Sequence, residues 1–262
     1  MANYENPSRY RTAVPTTAGA IDEGLRSYML RVYNYMGIGL AITGVVAYVI
    51  YSLAVGTTPN PAYADGAAIG DGLYLTSLGA TLYGSALMWV VALAPLALVF
   101  FISFRIHTLS VGAAQVTFWV FAALMGASLS SIFLVYTHES IVQVFFITAA
   151  MFGAMSLWGY TTKRDLTGMG SFLFMGLIGV VIAMIVNLFL QSSALGFAIS
   201  VIGVLVFVGL TAYDTQKIKE AYVANDDGTM MGRKAIMGAL TLYLDFINLF
   251  LMLLRLFGQN RE

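Results

Sequence analysis

Cysteine is absent from the chain, which excludes disulfides, thiolate metal sites and cysteine nucleophiles. Charge is scarce as well: 10% of residues are Asp, Glu, Lys or Arg, where a soluble domain carries about 25%. Thirteen basic residues balance thirteen acidic ones, and no Lys/Arg face interleaved with aromatics occurs, so nucleic acid is excluded as a partner. No polar block is long enough to fold separately. The first thirty residues are polar, with Asp22, Glu23 and Arg26 followed by Arg31, and lack the short apolar core of a cleavable signal peptide. The first apolar segment is therefore expected to be a retained membrane span.

What the chain has in excess is apolar sequence, 59% of it, in runs of membrane length. The gaps between charges delimit these runs. No charge falls between Arg31 and Asp65, between Asp71 and Arg105, between Arg105 and Glu139, or between Glu139 and Lys163, and each gap holds one span. The interval from Asp165 to Asp214 is too long for one helix, and Gln191-Ser192-Ser193 divides it into two. A seventh run, about Ala235 to Phe257, either crosses or re-enters. Backbone groups in lipid must bond among themselves, and long continuous runs do so as helices. The reading is an all-α polytopic membrane protein with seven spans: a polar segment over 1–31, one integral domain over 32–258 and a tail at 259–262.

Eleven of the thirteen Lys and Arg residues precede span one or follow spans two, four and six: Arg9, Arg11, Arg26, Arg31, Arg105, Lys163, Arg164, Lys217, Lys219, Arg233 and Lys234. Basic residues concentrate on the cytoplasmic side, so the N-terminus is expected there. Arg255 and Arg261 weigh slightly against a last segment that crosses fully. Small residues at Gly37/Ala41, Ala149/Gly153 and Gly176/Gly179 are read as helix-packing points, and Pro95 as a kink in span two. His138-Glu139 is read as a polar turn. His107 lies on the opposite side, so the two histidines form no zinc site.

Asp245 is the most informative residue. It sits in Leu242-Tyr243-Leu244-Asp245-Phe246-Ile247-Asn248-Leu249-Phe250, where an ionised and unpaired carboxylate would cost several kcal/mol. It needs a partner or a proton. Asp214, which ends span six in Tyr213-Asp214-Thr215-Gln216-Lys217, is the candidate, because spans six and seven are consecutive and antiparallel. Two carboxyls in hydrogen-bond range at low dielectric share a proton rather than both ionise. Such a pair would hold Ca²⁺ only weakly and transiently, as a passage site rather than a store.

The segments Asp214-Thr215-Gln216-Lys217-Ile218 and Leu242 to Phe250 resemble the closing signature of the Bax inhibitor-1-like family, bacterial type, and the likeness runs from about Tyr33 to Gly258. The resemblance implies a seven-helix bundle with the last helix central, acting as a pH-sensitive calcium leak without a cofactor or enzymatic activity. It places the family's paired aspartates on Asp214 and Asp245. A basic latch at the cytoplasmic end of span two falls on Arg105. The membrane would be a bacterial inner membrane, or an organelle membrane in a eukaryote. Two other functions remain. One is a non-transporting regulator that binds a membrane protease or a cell-death factor. The other is an intramembrane aspartyl protease, whose Gly-x-Gly-Asp motif is missing here because Tyr243-Leu244 precede Asp245.

Overall fold

The computed structural model describes residues 15–62, 67–70 and 72–261, with side chains from Glu23 onward. Arg9, Arg11, Asp65 and Asp71, used above to mark topology and spans, lie outside the described residues, as does the side chain of Asp22. Seven helices are long and apolar enough to cross a bilayer. They are α1 (Pro15–Ala54), α3 (Leu87–Arg105), α4 (Val111–Leu129), α6 (His138–Thr161), α7 (Thr167–Leu190), α8 (Ser193–Glu220) and α9 (Gly228–Phe257), with short helices α2 (Ser77–Gly84) and α5 (Ile132–Val135) between them.

Helix starts follow local chemistry. The Ser110, Thr137, Ser192 and Asp227 side chains accept the backbone N–H three residues on, opening α4, α6, α8 and α9. Leu166 precedes α7 without a capping side chain, and Asp165 stands in for it by accepting the Thr167 N–H at 2.8 Å. Those bonds with Thr167 hold the Asp165 carboxyl below the usual carboxylate range. Between α7 and α8 the chain turns at Gln191, whose φ of 48° is left-handed, and this is the division expected at Gln191-Ser192-Ser193.

The boundaries differ from the reading in instructive ways. α1 starts well before the expected edge at residue 31, so the polar residues from Pro15 belong to the same helix as span one. α3 holds the buried Pro95 inside one helix, at the place where the sequence put a kink. The connection after α1 is not helical throughout: β1 (Val55–Gly56), β2 (Ala68–Gly70) and β3 (Leu73–Leu75) form a small antiparallel sheet in the order β1-β3-β2. Its β2–β3 turn carries Gly70 at φ 100° and Gly72 at φ 68°. The all-α expectation therefore holds for the membrane domain and fails for this cap. At the other end, α9 is one unbroken helix of 30 residues, about 45 Å long, which exceeds the roughly 30 Å of a bilayer core. A re-entrant segment would have to reverse direction, and α9 does not.

α9 is central. Of its most apolar window 72% is buried, against 11–39% for the other six long helices. α1, α4, α6 and α8 pack around it, while α3 lies outside against α4 and α7 outside against α8. The outer faces carry exposed Phe104, Phe172, Leu188 and Phe189, as expected of surfaces that meet lipid. Inner crossings are close. A Cβ on Gly126 would strike the Thr43 carbonyl of α1, and one on Gly159 the Ala212 carbonyl of α8. The small-residue pairs singled out in the sequence behave differently: Gly37, Gly153 and Gly179 face open space, and of the glycines named only Gly176 has a close neighbour, Val206. Gly37 and Gly153 instead line apolar clefts beside α1 and α6, whose best-defined link is the Tyr33–Ser156 hydrogen bond.

Candidate functional site

The carboxyl pair sits where α8 and α9 run antiparallel. Lys234 Nζ donates to the Ala221 carbonyl at the end of α8 (2.9 Å) and pairs with Asp226 (2.5 Å), clipping the two helices together at the Lys/Arg-rich face. From that clip Asp214 lies seven residues back along α8 and Asp245 eleven residues forward along α9, and both reach one cavity. Asp214 does not end its span, since α8 continues to Glu220.

The two carboxyl groups are close enough to interact directly. Ionised carboxylates only accept hydrogen bonds, so a hydrogen bond between the two would need a proton. Asp245 is 6% exposed, and its Oδ2 is buried with no N–H or O–H donor from any described residue. Asp214 is half-buried. Both line a cavity of about 630 Å³ between α7, α8 and α9, together with Ser171, Thr241 and Asn248. Thr241 Oγ1 donates to the Met237 carbonyl (3.1 Å) and Asn248 Nδ2 to the Leu244 carbonyl (2.9 Å), so each spends a proton on its own helix. Thr241 is then left to face the cavity with oxygen lone pairs. Lys217, exposed one turn beyond Asp214, is the cation at the cavity wall and lies 5.9 Å from the Tyr213 ring centre. Gly170 leaves room for that ring to lie against α7.

Asp214 and Asp245 are thus brought together as expected, and Arg105 is not brought to them. Arg105 is exposed at the end of α3, which packs chiefly on α4, and the ion pair found among the described residues is Lys234–Asp226. The cation beside the pair is Lys217, which sequence reasoning used only to set topology.

Sequence reasoning also missed a polar chain behind the pair. Tyr33 Oη lies 2.7 Å from Ser156 Oγ, which lies 2.9 Å from Thr215 Oγ1, linking α1, α6 and α8. Gln216 accepts the Leu166 N–H (2.9 Å) and donates to the Arg164 carbonyl (2.8 Å), pinning the connection between α6 and α7. The available signal was the run Asp214-Thr215-Gln216, three polar residues inside an apolar helix. His107 and His138 are far apart in the fold as expected. Among the described residues no group of three or more His, Asp or Glu is placed to hold a metal ion.

The sequence profile described as inhibitor of apoptosis-promoting Bax1 matches residues 25–262. Inner membrane protein YbhL of Escherichia coli K12 is 49% identical over 240 residues, 91% of this chain and 94% of that protein. An uncharacterized protein of Rickettsia prowazekii is 45% identical over 255 residues, 97% of this chain and 99% of its own length. A further uncharacterized protein, of Borreliella burgdorferi, is 42% identical over 237 residues, 90% of this chain and 93% of its own. With the family profile spanning every long helix and these relatives matched nearly end to end, the chain belongs to the Bax inhibitor-1-like family of multi-pass membrane proteins.

Proposed function

We propose that this protein is a pH-sensitive calcium leak of a bacterial inner membrane, with its N-terminus in the cytoplasm and the Asp214–Asp245 pair as proton sensor and ion passage. The observation that carries the reading is the buried Asp245 carboxyl, with an oxygen that no described donor satisfies, beside Asp214 in the wall of a cavity at membrane depth. A hard cation prefers several oxygen ligands, and two carboxyls with the Thr241 hydroxyl and water meet that preference loosely. Loss of the shared proton gives the cavity the negative charge that attracts Ca²⁺, and regaining it removes that charge. The process converts no substrate and needs no cofactor. Arg105 joins the pair as a latch only after a movement of α3. The inner-membrane location follows the name of the Escherichia coli relative.

The test is calcium entry into liposomes holding the purified protein and an internal indicator, recorded across the neutral pH range. Wild type passes calcium at a rate that changes with pH, whereas Asp214→Asn and Asp245→Asn flatten the profile so that rates at its two ends become nearly equal. An unchanged profile in both variants sinks the sensor. Absence of flux, with specific co-purification of one membrane protein, moves the function to a regulator; cleavage of a transmembrane peptide moves it to a protease.

A further inference from the structure

At the face opposite the Lys/Arg-rich one, the residues after α9 fold back over the turn between α5 and α6. Thr137 N–H donates to the Gln259 carbonyl (2.9 Å), Arg261 N–H donates to the Val135 carbonyl (2.8 Å), and Tyr136 and Asn260 form an antiparallel bridge. Gln259 N–H also donates to Ser140 Oγ (3.2 Å). The Arg261 side chain completes the closure: one guanidinium nitrogen donates to Tyr51 Oη (2.8 Å) and the other lies 3.0 Å from His138 Nδ1, with the guanidinium 5.6 Å from the Tyr51 ring centre. The His138 ring is itself set against Tyr51 and Phe133. α1, α6 and the end of α9 are thereby fastened at one point.

The chemistry of this contact depends on protonation. A guanidinium has only donors, so Nδ1 must offer a lone pair, which makes His138 neutral with its proton on Nε2. Protonated imidazole would set an N–H against an N–H and a positive charge against Arg261, so the hydrogen bond becomes a repulsion. The other groups facing His138 are the phenols of Tyr48 and Tyr51, while Glu139, next along α6, is exposed and Glu262 lies outside the described residues. We propose that His138 is a proton-operated catch: neutral, it holds the C-terminal tail through Arg261 across the α5–α6 turn, and protonated, it releases the tail and with it the end of α9. Release therefore belongs to acidification. The catch lies at the opposite end of the bundle from the Lys/Arg-rich face and does not depend on calcium passage.

The test uses the cysteine-free background. A Gln259→Cys substitution supplies the chain's one thiol for a nitroxide spin label, and the full protein in nanodiscs is examined at about pH 8 and about pH 5 by electron paramagnetic resonance. The label is expected to be immobile at the higher pH and to gain a several-fold larger mobile fraction at the lower one. His138→Gln, whose amide oxygen accepts from Arg261 without titrating, should stay immobile at both, and His138→Lys should be mobile at both. A label equally immobile at both pH values in the otherwise wild-type chain overturns the catch. So does a His138→Gln variant that releases as the wild type does. Because flux is not measured, either result leaves the calcium reading standing or falling by itself.

Discussion

Tyr243 lies fully buried in the middle of the bundle, edge-on to Phe118 and Phe121, with its hydroxyl 2.6 Å from Thr43 Oγ1. Thr43 in turn reaches the Ala122 carbonyl (2.9 Å) and the Gly39 carbonyl (3.0 Å), so one hydroxyl pair joins α1, α4 and α9. Removing one partner of a buried hydrogen bond costs more than removing a matched pair. Thr43→Val, which strands the Tyr243 hydroxyl, is expected to destabilise by about 1–3 kcal/mol, and Tyr243→Phe by about 1 kcal/mol. The order of the two, read from thermal unfolding in detergent, is the check; equal losses would mean that water satisfies the stranded phenol. At this scale the sequence is legible where a residue type is out of place. Asp214 and Asp245 stand out because a carboxyl in an apolar run needs an explanation. Tyr33, Ser156, Thr215 and Thr43 do not stand out, because hydroxyl residues are common in membrane helices and bond equally well to their own backbone, as Thr148 does to Val144.

Elements meet in this bundle through glycines whose importance depends on what lies opposite. At Gly159 the backbones of α6 and α8 approach so closely that any side chain would strike the Ala212 carbonyl, and the same holds at Gly126 against Thr43. Gly153 lies on the same helix as Gly159 and opens onto a cleft with no atom in reach. Gly159→Leu should therefore force α6 from α8 and cost at least about 1–3 kcal/mol, whereas Gly153→Leu should leave the unfolding temperature within a degree or so of wild type. Comparable losses at the two sites would show that helix propensity rather than contact decides the effect. The contrast explains why the packing expectation holds at Gly176 and fails at Gly37, Gly153 and Gly179. Spacing such as Ala149/Gly153 identifies a smooth strip on a helix, but whether a neighbour lies against it is settled by the other six helices. The small sheet after α1 escaped for a different reason: its strands are two or three residues long, too short for alternation to register, although Gly70-Asp71-Gly72 is the kind of turn that pairs strands. The seven long helices were readable because length and lack of charge are properties of each segment alone.

Over the whole molecule, seven crossings would put the two ends of the described chain on opposite faces, and the proposed orientation makes the Lys/Arg-rich face the cytoplasmic one. Several of them also close helix ends on that face. Lys219 Nζ donates to the Tyr160 carbonyl at the end of α6 (2.8 Å), Lys234 to the Ala221 carbonyl, and Arg233 Nε to the Leu109 carbonyl before α4 (2.8 Å). Topology and stability therefore favour the same arrangement. Arg261, which from sequence alone weighed against a crossing last helix, has a local task on the other face, where Tyr51 and His138 receive it. The expected outcome in bacterial cells is that alkaline phosphatase fused after Arg261 is active and a fluorescent protein fused there is dark, with the N-terminal fluorescent fusion bright. A bright C-terminal fusion would require both ends on one face and hence an even number of crossings. That result would take one of the seven long helices out of the membrane, and if that helix were α9, Asp245, the carboxyl at the centre of the proposed passage, would leave with it.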